Sequence, residues 1–249
     1  MGSAALSLLA ALQFLTRVPI RLRREPSLAK TVAWFPVAGA IIGAAVGAVA
    51  AGMWHLSSPL VAAAVAVAVG LLITGAFHED GLGDVADAFG GGWTIERRLE
   101  ILKDSRHGTY GVAAICASIV VRTVSLGALP GPMDMFAGAV AAHTMARVAA
   151  VGMAGTMKLA TNTGLGADYG RSSTPLRAGV GCVAGIAITT LSVGWWVAPL
   201  VGAAAVAAVG TGLLARRKIG GISGDVLGAA EQAAECLCLV VLSGLALPR

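Results

Sequence analysis

The segment Pro59–Gly92 reads "PLVAAAVAVAVGLLITGAFHEDGLGDVADAFGGG" and joins an uncharged apolar run to a block of acidic residues. The first part, Pro59–Phe77, is long enough to cross the hydrocarbon core of a bilayer as a helix. The second part places four acids within nine residues, namely Glu79, Asp80, Asp84 and Asp87. Ionisable side chains at the end of an apolar span are expected to be functional, because burying them near lipid is costly.

The composition of the 249 residues is typical of an integral membrane protein. Hydrophobic residues make up 57% of the chain and charged residues 12%, with a mean hydropathy of +0.81. A soluble domain carries about 25% charged residues, so this chain lacks the polar surface that a water-soluble particle needs. Its apolar runs are continuous and not alternating, which favours helices over a β-barrel. We therefore expect an all-α, polytopic helical bundle that forms a single domain over residues 1–249.

Seven apolar runs are long enough to be transmembrane helices. They are Val32–Trp54, Pro59–Phe77, Tyr110–Pro130, Met135–Met157, Ala178–Trp195, Val197–Leu214 and Val226–Leu245. The N-terminal run Ala4–Leu15 is shorter than a span, and we expect it to lie at the interface or to re-enter among the other helices. Short helices are expected within the acidic segment.

Connections rich in Lys and Arg alternate with connections that lack both. The basic ones contain Arg17, Arg21, Arg23, Arg24 and Lys30; Arg97, Arg98, Lys103 and Arg106; Lys158, Arg171 and Arg177; and Arg216, Arg217 and Lys218. Because basic connections stay in the cytoplasm, this pattern places the N-terminus and the acidic segment on the cytoplasmic side of a bacterial-type inner membrane. The net charge of +5 follows from this asymmetry and does not require a nucleic-acid partner.

The spacing of the aspartates predicts a metal-assisted phosphate site. Asp80, Asp84 and Asp87 are at i, i+4 and i+7, which puts them on one face of a helix. Such a stripe repels itself, and a bound divalent cation reverses that effect. Carboxylate oxygens suit Mg²⁺ or Mn²⁺, and Mg²⁺ commonly adds substrate phosphates to one or two carboxylates. The plainer alternative is a solvated cytoplasmic loop, because loops between spans are usually charged.

The residues after the acidic stripe extend the same prediction. Gly90–Gly92 should end the first helix, and Thr94 can cap a second short helix. Lys103 and Arg106 follow on the way to the third span, where they are candidate phosphate partners.

Two adjacent stretches, "FHEDGLGDVADAFGGG" and "ERRLEILKDSRHGTYG", resemble the hallmark of the cobalamin synthase family (adenosylcobinamide-GDP ribazoletransferase, or cobalamin-5′-phosphate synthase). Further matching pieces follow in order over nearly the whole chain. They are "FLTRVPI" at Phe14–Ile20, "WFPVAGAIIG" at Trp34–Gly43, "AR" at Ala146–Arg147, "GLG" at Gly164–Gly166 and "GISGDVLGAAEQAAE" at Gly221–Glu235. One departure is Glu79, which stands where the family usually has an apolar residue before the first aspartate.

The resemblance implies a Mg²⁺-dependent membrane enzyme. Its substrates are adenosylcobinamide-GDP and α-ribazole or α-ribazole 5′-phosphate, and it releases GMP as the ribose 3′-hydroxyl attacks the phosphorus that bears the cobinamide. The metal ligands or base are then expected to be Asp80, Asp84, Asp87 and Asp104, with the roles undivided among them. The candidate substrate and phosphate contacts are His78, Lys103, Arg106, Arg147 and Asp225.

Several alternatives stay open from the sequence. The acidic block is loosely similar to that of CDP-alcohol phosphotransferases, although the basic position of their motif is missing, and a membrane transporter is the non-enzyme alternative. His78 is equally explained as an interfacial histidine, Asp225 as a helix cap, and His143 as a hydrogen-bonding partner of a neighbouring helix. Membrane lipid surrounds the chain, and its many small residues predict a homodimer.

Overall fold

The computed structural model describes residues 3–22, 28–160 and 173–245. In this part the chain forms α1 (Ser3–Leu15), α2 (Leu28–Val32), α3 (Phe35–Trp54), α4 (Pro59–Thr74), α5 (Phe77–Gly91), α6 (Ile95–Ile101), α7 (Thr109–Gly127), α8 (Pro132–Thr156), α9 (Pro175–Val193), α10 (Val197–Ile219) and α11 (Gly224–Leu245). The predictions that concern Arg23, Arg24, Arg171 and Gly164–Gly166 fall outside the described residues. The architecture confirms a polytopic helical bundle.

Five helical segments are long and apolar enough to cross a membrane, or six if the bent pair α4–α5 is one span. One of the five is the 45-residue segment Pro175–Ile219, which as a straight helix would be about 67 Å long. It cannot be straight, because Ala178 near its start packs against Gly155 and Gly212 near its end packs against Met157. The segment therefore folds back at its 3-10 turn, which gives two helices, α9 and α10, where the sequence predicts two spans.

The second predicted span, Pro59–Phe77, is wrong at its C-terminal end. Helix α4 stops at Thr74, and α5 starts only three residues later at an angle of 90° to it. Between them Gly75 and Ala76 have φ angles of 67° and 55°, and a left-handed backbone ends a right-handed helix. At 16 residues, α4 is shorter than a full crossing, and the break redirects the acidic helix.

Helix α5 lies inside the bundle, so a solvated loop is not its structure. It runs antiparallel to α7, since Glu79 near its start pairs with Arg122 while Asp87 near its end contacts Gly111. It also packs antiparallel to the first turns of α11. The acidic residues are consequently held at fixed positions between two membrane helices.

Helices α3 and α8 form the centre of the bundle through a face of glycines. Gly39, Gly43 and Gly47 follow at four-residue intervals and contact the backbone of α8. A Cβ atom at Gly43 would lie 2.8 Å from the Cα of Val140, which is too close for any larger residue. Small residues allow such close approach between membrane helices, and here they fix the position of the polar residues that α8 carries.

Hydrogen bonds at the C-terminal end of α5 connect it to α6 and α10. The Lys218 ammonium donates to the carbonyl of Phe89 (3.1 Å), and the Arg98 guanidinium donates to the carbonyls of Lys218 (2.9 Å) and Gly92 (3.0 Å). Lysine and arginine near a helix C-terminus satisfy its free carbonyls. The predicted cap of α6 is also confirmed, because the Thr94 hydroxyl accepts a hydrogen bond from the Arg97 amide (3.2 Å).

Apolar side chains cover the outside of the bundle. Leu72, Leu176 and Leu191 are 75%, 78% and 88% exposed, and a lipid environment removes the cost of exposing them to water. Trp195 lies in the turn between α9 and α10, 94% exposed, as expected for a residue at the membrane–water interface. The short helix α1 packs on α3, where Phe14 stacks on Phe35 with ring centroids 5.5 Å apart.

Candidate active site

Two aspartates of α5 and a histidine from the connection between α6 and α7 form an open cluster. The Nε2 atom of His107 lies 3.2 Å from Oδ1 of Asp80, and its Nδ1 atom lies 3.5 Å from Oδ1 of Asp84. The side chains of Asp80, Asp84 and His107 are 67%, 13% and 27% exposed. We call these three residues the open cluster. It brings together residues that are more than twenty positions apart in the sequence.

Asp87 holds His107 next to the two aspartates. Its carboxylate accepts hydrogen bonds from the amides of Gly108 (2.6 Å) and Gly111 (2.9 Å), which are free donors at the start of α7. A Cβ atom at Gly111 would overlap the Asp87 carboxylate, so glycine is needed at this contact. Because His107 directly precedes this capped turn, the cap fixes the approach of its imidazole to α5.

Asp225 lies beside the open cluster in the first turn of α11. The Ser223 hydroxyl accepts a hydrogen bond from the Val226 amide (3.3 Å) and is within 3.3 Å of Oδ2 of Asp225. Ser223 is therefore the cap of α11, and Asp225 is free for another role. Gly81 allows α5 to approach the backbone of Asp225 closely, since a Cβ atom at Gly81 would be 3.0 Å from the carbonyl oxygen of Asp225. The carboxylate adds negative charge next to Asp84.

The open cluster has the donor set of a divalent cation site. One oxygen from each of Asp80 and Asp84 and one nitrogen of His107 lie within 4.8 Å of one another. Two carboxylates match the protein ligands that Mg²⁺ usually takes, while an imidazole nitrogen also suits Mn²⁺ and later transition metals. The like charges of these carboxylates repel each other, and a bound cation would offset that repulsion.

A cleft of about 740 Å³ adjoins the open cluster. Asp80, His107, Glu79 and Arg17 supply its polar lining, and Phe14, Leu71, Phe77, Ile115 and Ile119 supply apolar walls. The hinge between α4 and α5 forms part of its floor. Apolar walls with a few convergent polar groups are typical of a site for a small molecule.

A second group of ionisable residues is buried and joins α5, α7, α8 and α11. We call it the buried network, and its members are His78, Glu79, Arg122, His143, Arg147, Glu231 and Glu235. Arg122 lies 2.8 Å from Glu79 and 3.1 Å from Glu235. Three acids face two arginines and two histidines, so the charges nearly balance.

The rest of the buried network centres on α8. Arg147 pairs with Glu231, and His143 Nδ1 lies 3.1 Å from Glu235 Oε2. The alternative that His143 bonds to a neighbouring helix is therefore confirmed. Buried charges are tolerated when they are paired in this way.

The structure separates the residues that the sequence grouped as one site. Asp80, Asp84 and Asp225 come together, and Asp87 lies on the same helix but binds the backbone of α7. His78 and Arg147 belong to the buried network. Lys103 is exposed on the connection between α6 and α7.

Asp104 is tied to Arg106 on the same connection. The Arg106 guanidinium donates to both carboxylate oxygens, at 2.9 and 2.7 Å. These hydrogen bonds lower the pKa of Asp104 to about 2 and raise the pKa of Arg106. The pair is not part of the open cluster in the described part of the chain. Metal ligation by Asp104 and phosphate binding by Arg106 stay predictions.

Sequence analysis missed His107 as a site residue and Glu231 as a network residue. His107 stands in "DSRHGTYG", where nothing local shows that it will reach α5. A usable signal existed for the buried network, since His143 and Arg147 are four residues apart and so are Glu231 and Glu235. Two helices with matched spacing of opposite charge are expected to face each other.

Comparison with known proteins gives matches over nearly the whole chain. The family described as cobalamin-5-phosphate synthase matches residues 7–243. Proteins named adenosylcobinamide-GDP ribazoletransferase are 38% identical in Bradyrhizobium diazoefficiens (96% of this chain, 94% of the relative), 38% in Ralstonia pickettii (94% and 93%) and 35% in Shewanella halifaxensis (93% and 92%). No solved structure matches the chain.

Proposed function

This chain belongs to the cobalamin-5-phosphate synthase family, and on that premise we propose that it is an adenosylcobinamide-GDP ribazoletransferase of a late step in cobalamin biosynthesis. The acceptor is α-ribazole or α-ribazole 5′-phosphate. The observation that carries the proposal is the open cluster of Asp80, Asp84 and His107 at the polar end of a cleft. The family match gives no support to a CDP-alcohol phosphotransferase or a transporter.

The reaction exchanges one phosphorus–oxygen bond for another. The ribose 3′-hydroxyl oxygen forms a bond to the phosphorus that bears the cobinamide, and the bond from that phosphorus to the oxygen shared with GMP breaks. GMP leaves with the bonding electrons, and the hydroxyl proton passes to a carboxylate and then to water. Such a displacement requires alignment of the two substrates and neutralisation of phosphate charge.

The residues of the site divide these tasks. Asp80 and Asp84 would hold Mg²⁺, and when bound the cation neutralises charge on the diphosphate oxygens. His107 contacts both carboxylates and orients them, and the Asp87 cap holds His107 in place. Asp225 is the nearby carboxylate that can take the hydroxyl proton. The roles of Asp87 and Asp104 as metal ligands stay predictions.

The proposed location of the site is the cytoplasmic face of a bacterial-type inner membrane. Supporting this, the connection between α5 and α7 carries Arg97, Arg98, Lys103 and Arg106, whereas the connection between α7 and α8 carries no Lys or Arg. Basic connections stay in the cytoplasm.

The test uses the purified protein in detergent or nanodiscs. Adenosylcobinamide-GDP and α-ribazole, or its 5′-phosphate, are supplied with Mg²⁺, and release of GMP is followed together with the corrinoid product. Asp80→Asn and Asp84→Asn are expected to lower kcat/KM by about 1000-fold, because they remove charge that the transition state needs. EDTA should abolish the activity, and Mg²⁺ should restore it.

The matched control is Glu100→Gln, which also converts an acid to an amide but lies on the exposed face of α6. It should retain wild-type activity. A folded wild-type protein that makes no product with either acceptor would refute the proposed function. Full activity in EDTA, or in Asp84→Asn, would refute the assigned metal site.

A further inference from the structure

Arg17 stands at a fixed point next to the hinge that redirects α5. Its backbone amide donates to the carbonyl of Ile73 in the last turn of α4 (2.7 Å). The preceding Thr16 hydroxyl donates to the Leu12 carbonyl (2.6 Å) and accepts from the Val18 amide (3.2 Å). These three bonds hold the "LTRV" segment in one conformation against α4.

The side chain of Arg17 lies across Gly75. A Cβ atom at Gly75 would be only 2.8 Å from Cγ and 3.0 Å from Cδ of Arg17. Glycine is therefore required at position 75 for two reasons: its backbone is left-handed, and the arginine side chain occupies the space of a Cβ atom. The hinge and the arginine fit each other, which places the guanidinium along the wall of the cleft.

Arg17 is the arginine that lines this cleft, and its charge, unlike that of several other arginines, is not taken up by a carboxylate among the described residues. Arg122 and Arg147 are paired with glutamates, and Arg106 is paired with Asp104. Within the described part of the chain, the Arg17 guanidinium makes no ion pair, although Asp80 and His107 line the same cleft. An unpaired guanidinium beside a cation site is suited to bind the oxygens of a phosphate.

We propose that Arg17 binds a phosphate of the diphosphate ester in this cleft, in addition to the cation held by Asp80 and Asp84. This inference rests on the proposed function. The diphosphate would then be held in two ways. Asp80 and Asp84 would act on it through the cation, and the Arg17 guanidinium would bind its oxygens directly. The bidentate geometry of a guanidinium also makes arginine a better phosphate ligand than lysine at this position.

The test compares Arg17→Ala and Arg17→Lys with Arg21→Ala, an exposed arginine four residues later in the same segment. Steady-state kinetics are measured with adenosylcobinamide-GDP as the varied substrate. Arg17→Ala should lower kcat/KM for this substrate by roughly 50-fold, the effect of losing a hydrogen bond to a charged group. The KM for the ribazole acceptor should stay within about twofold of wild type, and Arg17→Lys should recover part of the loss.

Binding is measured separately with GDP plus Mg²⁺ as the diphosphate probe and GMP as its monophosphate control. Arg17→Ala should weaken GDP binding more than GMP binding, whereas Arg21→Ala should change neither. Elution volume and unfolding midpoint establish that each variant is folded. Should Arg17→Ala fail to fold, Arg17→Lys serves instead, with an expected loss of about fivefold in GDP affinity because its ammonium lacks the planar fork.

The outcomes separate this inference from the proposed function. If Arg17→Ala forms product and matches Arg21→Ala in both the kinetic and the binding assay, the Arg17 site is overturned and the proposed function stays intact. GDP binding that depends on Arg17, without any corrinoid product from wild type, supports the site and overturns the proposed function. A wild-type protein that neither binds GDP nor makes product overturns both.

Discussion

Adjacent residues of α5 belong to two groups with opposite properties. Asp80 is 67% exposed on the side chain and joins the open cluster, whereas Glu79 is 5% exposed and pairs with Arg122 in the buried network. The open cluster has an excess of negative charge next to a cleft, while the buried network is nearly neutral and closed. The uncompensated negative charge of the open cluster favours binding of a cation. The balanced charges of the buried network instead hold the helices in position relative to one another. One helix therefore carries an open acidic face and a buried, charge-paired face.

The largest effect on stability is expected from Arg122→Ala. Removing this guanidinium leaves Glu79 buried without its partner and takes one of the partners of Glu235 away, and breaking a buried pair costs about 3–5 kcal/mol of unfolding free energy. Reversible unfolding in mixed micelles measures the loss. The matched control is Arg97→Ala, whose pair with Glu100 is about two-thirds exposed on both sides and contributes under about 1 kcal/mol. Equal losses in the two variants would remove the distinction between open and closed charge pairs.

A smaller effect is expected when the cation is added. Mg²⁺ at 100 times its dissociation constant should stabilise the wild-type protein by about 2.7 kcal/mol, seen as a higher unfolding midpoint. Asp80→Asn should abolish this response, and the neighbouring variant Glu79→Gln should keep it even if its own midpoint is lower. A Glu79→Gln variant that no longer responds to Mg²⁺ would show that the two groups are not independent.

Asp87 caps the start of α7 and lies next to the open cluster. Its loss should lower the unfolding free energy by an intermediate amount. Asp87→Ala leaves the amides of Gly108 and Gly111 without an acceptor, at a cost of about 2 kcal/mol. Activity should also fall, because His107 loses its fixed position. Thermal unfolding and GMP release are measured on the same preparation. Full activity at normal Mg²⁺ affinity in a destabilised variant would show that the cap does not position His107.

The smallest effect is expected at Asp104. Its folded-state pKa is about 2, below the ordinary value of 3.8, so the pair with Arg106 stabilises the protein above about pH 4 and stops doing so as the pH falls through 2. Asp104→Asn should leave the unfolding midpoint at pH 7 nearly unchanged, because the pair is open to solvent. The variant also decides the predicted role, since a 100-fold loss of GMP release would make Asp104 a member of the active site after all.

Sequence analysis predicted the elements well because hydrophobic run length and helical spacing are local properties. The helical stripe Asp80, Asp84 and Asp87 was confirmed, and so was the Thr94 cap. The α4–α5 break was missed, because the apolar run continues through Gly75 and nothing in its composition shows a left-handed backbone. Helix α4 therefore ends at Thr74, before the apolar run ends at Phe77.

The division of the site could not be predicted, because it depends on contacts between residues far apart in the chain. Asp87 and Asp84 look equivalent on a helix, but only Asp87 meets the amides of α7. His78 and Arg147 were grouped with the phosphate contacts on the family resemblance, and for Arg147 also because a charge within a span suggests a polar site. That inference identifies unusual residues without identifying their partners, and here the partners are glutamates of α11.

The buried network has a consequence for how the chain is made. A charged side chain at the centre of a bilayer costs about 2.5–3.5 kcal/mol on a lone helix, and α11 carries Glu231 and Glu235 with no basic residue of its own. Because α11 follows α7 and α8 in the chain, Arg122 and Arg147 are synthesised before Glu231 and Glu235 enter the membrane. A chain truncated before α11 would leave Arg147 without its glutamate partners and Arg122 with Glu79 alone, so both arginines would be costly to keep in lipid.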